Sequence, residues 1–127
     1  MNLDVSLSIL LIFCTACYLL LGLRLVARKR EIGSLPIGIL FIAVSVWVMG
    51  GAIELMSTTF ELFSIGRTGH FIGTALVPVI AYVCFREFTG SETRPWAIVL
   101  LMVIPTLSVV LAASNADHQY MWSLPFA

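Results

Sequence analysis

The sequence predicts an all-α, polytopic membrane protein: four transmembrane helices with the N- and C-termini outside. Three observations lead there. Of the 127 residues, 60% are hydrophobic and only 11% charged, where a soluble domain carries roughly 25% charged residues. Mean hydropathy is +1.04. The apolar residues fall into runs long enough to cross a hydrocarbon core of about 30 Å. Net charge is zero, but the basic residues cluster, which marks a membrane face rather than a nucleic-acid surface.

The first helix is expected over about residues 5–26. The N-terminus MNLDV lacks a positive n-region, the apolar run is too long for a signal-peptide core, and no A-x-A-like site ends it. Arg24, Arg28, Lys29 and Arg30 follow as a stop-transfer flank, so the helix reads as uncleaved. Cys14 and Cys17 form a C-x-x-C, which in a soluble protein would suggest redox or metal chemistry. Here they sit mid-helix among Leu, Ile and Phe with no second ligand pair. With Cys84, they read as small apolar packing residues.

The second helix is expected over about residues 36–57. Gly33, Ser34 and Pro36 punctuate the loop before it, and Pro36 falls in the first turn, where its missing donor does no harm. Trp47 lies mid-run. Gly50, Gly51 and Ala52 form a small-residue patch that permits close helix approach, and Glu54 follows in the last turn. Ser57, Thr58, Thr59 and Glu61 read as a polar turn, with Phe60, Leu62 and Phe63 interfacial.

The third helix is expected over about residues 68–88. Gly69 and Gly73 make a G-x-x-x-G, a packing motif. Pro78 removes a backbone hydrogen bond and clashes with the carbonyl four residues back, which predicts a kink near Thr74. The fourth helix, about residues 95–113, opens with Pro95 and Trp96, and Pro105 predicts a kink near Leu101. Asn115, Asp117, His118, Tyr120 and Trp122 follow as a polar and aromatic end.

Orientation follows from Lys and Arg placement. Loop one carries Arg24, Arg28, Lys29 and Arg30, loop three carries Arg86 and Arg94, and loop two carries Arg67 alone. Loops one and three are therefore expected in the cytoplasm. The end holding Glu54, Arg67, His70 and His118 then faces outside.

Several function classes are excluded. There is no Walker A, G-x-G-x-x-G, G-x-S-x-G or H-E-x-x-H. The only lysine, Lys29, sits in a loop, which rules out a retinal Schiff base in the bundle. Every charged residue is expected near a helix end, which argues against a transporter with midplane ionisable groups. No catalytic set, cofactor or nucleic-acid partner is expected, and the lipid bilayer is the expected environment.

The candidate site is the outer polar group: Glu54, Arg67, His70, Asn115, His118 and Trp122, with Asp117 beside them. Arg67 and His70 are three apart and His70 and Thr74 four apart, so they share a helix face. As a sensing pocket for a small-molecule or lipid signal, Glu54 and Arg67 supply opposite charges, and His70 and His118 supply titratable donors, including a pH switch. The alternative is a capping and headgroup-anchoring set in which Glu54 simply pairs with Arg67 or His70. Metal binding has no ligand spacing behind it.

Several motifs now stand in order: Gly51-Ala52-Ile53-Glu54; Gly73 and, five on, Pro78; Phe85 and Phe88-Thr89-Gly90; Ile104-Pro105; and N-x-x-H-x-x-x-W at Asn115, His118 and Trp122. The ordered set resembles the seven-transmembrane N-terminal sensor region of bacterial membrane histidine kinases, this chain matching helices one to four. It departs at Gly66, where that family often has an aromatic residue, and at Ala116 and Asp117. The resemblance implies a membrane-embedded signal-input module of a two-component histidine kinase or diguanylate cyclase receptor in the bacterial inner membrane. It also implies a homodimer, with catalysis in a module outside this chain. From an outside N-terminus only an odd number of helices reaches the cytoplasm, so this reading expects a fragment of a seven-helix domain. The other reading is a small four-helix accessory or assembly subunit of a larger membrane complex. Continuation of the reading frame beyond Ala127 would favour the first and a stop codon the second.

Overall fold

The computed structural model describes residues 3–28 and 33–115. It contains four α-helices: α1 (Leu3–Ala27), α2 (Ser34–Met56), α3 (Phe60–Phe88) and α4 (Pro95–Ala113). All four are long and apolar enough to cross a membrane, and no strand occurs among the described residues. The main packing follows chain order: α1 on α2, α2 on α3, and, by a thinner seam, α3 on α4.

One element begins earlier than its sequence suggests. The stretch expected as a polar turn is helical from Phe60, rather than from near Thr68. Thr59 explains this. It adopts extended backbone at the N-cap, and its hydroxyl oxygen accepts from the Leu62 amide at 3.4 Å, satisfying one of the first turn's orphan donors. Glu61 follows in that turn, where a carboxylate complements the helix dipole. The other end closes with a Schellman arrangement. Gly90 takes φ +63°, its amide bonds the Glu87 carbonyl at 3.1 Å, and the Ser91 amide bonds the Arg86 carbonyl at 3.0 Å.

The interior is built of small residues. Among the described residues Pro36, Ala43, Ala52, Val79, Cys84 and Ala112 are buried apolar positions, and the largest fully buried side chains are Asn115 and Ser8. Phe13, Leu20, Phe85, Val99 and Ile104 point outward. In water this would be inside out. In a bilayer, lipid is as apolar as leucine, so large side chains gain little by turning inward, and helices associate where small residues let them come close. Two buried hydroxyls bond back into their own helix: Thr15 donates to the Leu11 carbonyl at 2.9 Å and Ser45 to the Ile42 carbonyl at 2.7 Å.

Glycines fix where the helices touch. At the α1–α2 crossing, a Cβ on Gly22 would lie 2.8 Å from the Gly38 carbonyl oxygen, and Tyr18 stacks on Phe41 at 5.9 Å. At the α2–α3 crossing the contact is tighter still. A Cβ on Gly50 would lie 2.3 Å from the His70 amide nitrogen, one on Gly66 2.7 Å from the Glu54 nitrogen, and one on Gly73 2.4 Å from Trp47. Gly51 and Gly69, expected as packing positions alongside Gly50 and Gly73, are less confined. Their added Cβ atoms would meet His70 Nδ1 at 3.6 Å and Gly50 Cα at 3.7 Å, ordinary van der Waals contacts. Gly66 supplies the contact in their place, and it stands where an aromatic side chain would force the two backbones apart.

The α2–α3 pair is also tied at its other end. Gly33, at φ +80°, caps the start of α2, and its amide donates to Glu87 Oε1 of α3 at 2.9 Å. Beside it the Ser34 hydroxyl donates to the Arg28 carbonyl at 2.8 Å. A carboxylate at a helix N-terminus meets both free amides and the positive end of the dipole.

The two sets of α2–α3 glycines should separate cleanly in a detergent-micelle unfolding titration. Gly50→Ala and Gly73→Ala are expected to lose about 1–3 kcal/mol through overpacking. Gly69→Ala is expected to be neutral or to gain up to about 1 kcal/mol from better helix propensity.

Candidate functional site

Close approach of α2 and α3 puts three of the sequence-predicted residues into one cluster. Glu54 lies near the end of α2. Arg67 and His70 lie on α3, and because α3 starts at Phe60 they are held well inside a helix. This corrects the expectation that every charge sits at a helix end. The reason is the Thr59 cap, which extends α3 past the polar turn.

Within the cluster Arg67 Nη1 pairs with Glu54 Oε1, their side chains being 34% and 19% exposed. The Arg67 guanidinium also lies over the Phe71 ring, 5.9 Å from its centre. His70 Nδ1 is 3.9 Å from Glu54 Oε2, so one carboxylate faces both a guanidinium and an imidazole. Thr74, one turn on, donates its hydroxyl to the His70 carbonyl at 2.9 Å.

The sequence reading missed one member. Trp47 Nε1–H donates to His70 Nε2 at 2.8 Å, the two rings meeting edge-on at 88° with centroids 5.9 Å apart. Because Nε2 accepts, the imidazole proton belongs on Nδ1, directed at the Glu54 side of the seam. The Trp47–His70 hydrogen bond and the Glu54–Arg67 ion pair therefore lie side by side across two helices, with the 3.9 Å separation of His70 Nδ1 from Glu54 Oε2 too long for a hydrogen bond. A signal for Trp47 was present: it lies seven residues before Glu54, two turns along the same face, with Gly50 between them.

Asn115 is buried, 1% exposed, directly after the α4 C-cap Ser114. Asp117, His118 and Trp122 lie outside the described residues, so the structure places Glu54, Arg67 and His70 together and describes only Asn115 of the N-x-x-H-x-x-x-W end. Pro78 lies inside α3 and Pro105 inside α4. Both line a groove of about 360 Å³ between these helices. Among the described residues, no group of three or more His, Cys, Asp or Glu is arranged to hold a metal ion.

Fold and cluster together define a multi-pass helical membrane protein with an ionisable network built into a helix seam. Residues 6–127 match the family described as the N-terminal 7TM region of histidine kinase, and the chain belongs to that family. It is thus a membrane sensory input module of the histidine kinase type. No curated protein and no solved structure matches it.

A double-mutant cycle of Trp47→Phe and His70→Phe should give a coupling of about 0.5–1.5 kcal/mol in unfolding free energy. A coupling near zero would remove Trp47 from the network.

Proposed function

We propose that this chain receives a signal at the outer face or within the membrane and relays it by helix movement to a cytoplasmic output. In this reading the output is a histidine kinase, or in some architectures a diguanylate cyclase, of the bacterial inner membrane. The receptor works as a homodimer, and catalysis lies in the output module. The observation that carries the reading is the Trp47–His70–Glu54–Arg67 network. Ionisable groups on membrane-spanning helices are costly and mark functional sites, and this half-exposed network bridges two such helices in a chain of the kinase sensor family.

Charge placement supports the orientation. Arg24, Arg28, Arg86 and Arg94 gather at the end where Gly33 meets Glu87, Lys29 and Arg30 follow Arg28 directly in the sequence, and Arg67 alone lies near the other end. The network then sits toward the outside and the Gly33–Glu87 contact toward the cytoplasm. Helix α3 joins them: its 29 residues span about 43 Å at ~1.5 Å per residue. A change at His70 tilts or rotates α3, Pro78 supplies the bend, and the Glu87 end moves against the start of α2. Two packings of one seam are the bistable element that such signalling requires.

Two experiments test this. Alkaline phosphatase fused within residues 57–59 should be active, and fusions within residues 29–32 or 91–94 should be inactive. The reverse pattern would invert the orientation. In membranes holding the intact kinase, Glu54→Gln, His70→Ala and Trp47→Phe should each shift basal or stimulated autophosphorylation by about fivefold or more, while the lipid-facing change Phe85→Leu should not. Unchanged output from all three across stimuli and about pH 5 to 8 would end the network's role in sensing.

A further inference from the structure

The groove between α3 and α4 has a chemical character that its apolar lining conceals. Pro78 and Pro105 both line it, one from each helix. Proline has no amide hydrogen, so each leaves the carbonyl four residues earlier without its helical donor. Those carbonyls belong to Thr74 and Leu101, and both residues also line the groove. Positions four apart share a helix face, so the two freed acceptors fall on the groove side of their helices.

In a membrane the missing donor cannot come from bulk water, and such carbonyls persist where something else supplies it. The Thr74 hydroxyl is committed elsewhere, donating to the His70 carbonyl at 2.9 Å. Ser108 adds one hydroxyl to the wall; the rest is apolar, from Phe71 and Ala75 to Ile104. The volume of about 360 Å³ falls within the roughly 300–1,000 Å³ of small-molecule sites. An acyl chain would fill the space and leave both acceptors unmet. A molecule with a mostly apolar body and a hydroxyl or N–H group would meet them.

We propose that the α3–α4 groove is a membrane-accessible site for a small, largely apolar ligand that presents a hydrogen-bond donor to the proline-freed carbonyls of Thr74 and Leu101. Its occupancy acts on the turn that carries His70, because Thr74 both lines the groove and bonds to that residue. The site is separate from the Trp47–His70–Glu54–Arg67 network, and either can fail without the other.

The test uses the intact protein in lipid nanodiscs, with a decanol bearing a mid-chain diazirine as probe. Photolabelling mapped by mass spectrometry should concentrate on α3 and α4 around Pro78 and Pro105. At equal membrane mole fraction, unlabelled 1-decanol should compete about tenfold better than its methyl ether, the difference one hydrogen bond supplies. The ether has the same body and cannot donate. Pro78→Ala with Pro105→Ala restores both amide donors and should bring that preference close to one, while leaving the helices intact by circular dichroism. Ala75→Phe, which fills the groove, should abolish the labelling. Equal competition by alcohol and ether would overturn the proposal in favour of acyl-chain packing. Labelling spread over all four helices, or an alcohol preference that survives the double proline variant, would overturn it too.

Discussion

The structure depends on how closely α2 and α3 approach. Gly50, Gly66 and Gly73 lack the one carbon that would hold the helices apart, and each would bring that carbon within 2.7 Å of the opposite helix. This contact sets the rotation and register of both helices. Once Gly50 lies against the His70 amide, Trp47 and Glu54, one turn either side of it on the same face, must flank His70. The polar network is thus a consequence of backbone contact, and the network in turn gives the seam an energetic reason to hold one register. In lipid, where apolar burial does not discriminate between registers, hydrogen bonds and steric fit do so.

The same economy runs through the bundle. Small side chains line the inside, the Thr15 and Ser45 hydroxyls bond back to their own helices, and large apolar side chains meet the bilayer. α2 is the most buried helix and α4 is among the least. The α1–α2 and α2–α3 crossings are closed at Gly22–Gly38 and Gly50–Gly66, whereas the α3–α4 seam is open around Pro78 and Pro105.

The two ends of α2–α3 are also chemically distinct. One holds the ion pair of Glu54 with Arg67 and the imidazole between Trp47 and Glu54. The other holds a carboxylate against the amide of a left-handed glycine.

The sequence by itself determined the membrane class, the four helices, the positions of both internal prolines and most of the polar set, Glu54, Arg67 and His70 included. These depend on local properties: span length, apolar content, and the donor that proline lacks. It pointed to the kinase sensor family through short motifs in a fixed order. Only the tertiary structure decided that Gly66 packs where Gly51 and Gly69 do not, that Trp47 bonds to His70, that Glu87 caps α2, and that α3 begins at Phe60. The last follows from a cap legible in hindsight at Thr59. The others share one physical reason. A helix apolar on every side carries no periodic stripe to say which face turns inward, because lipid and protein interior are alike to it. Which residues meet is then settled by how two backbones fit together, and that fit belongs to a pair of helices rather than to either sequence alone.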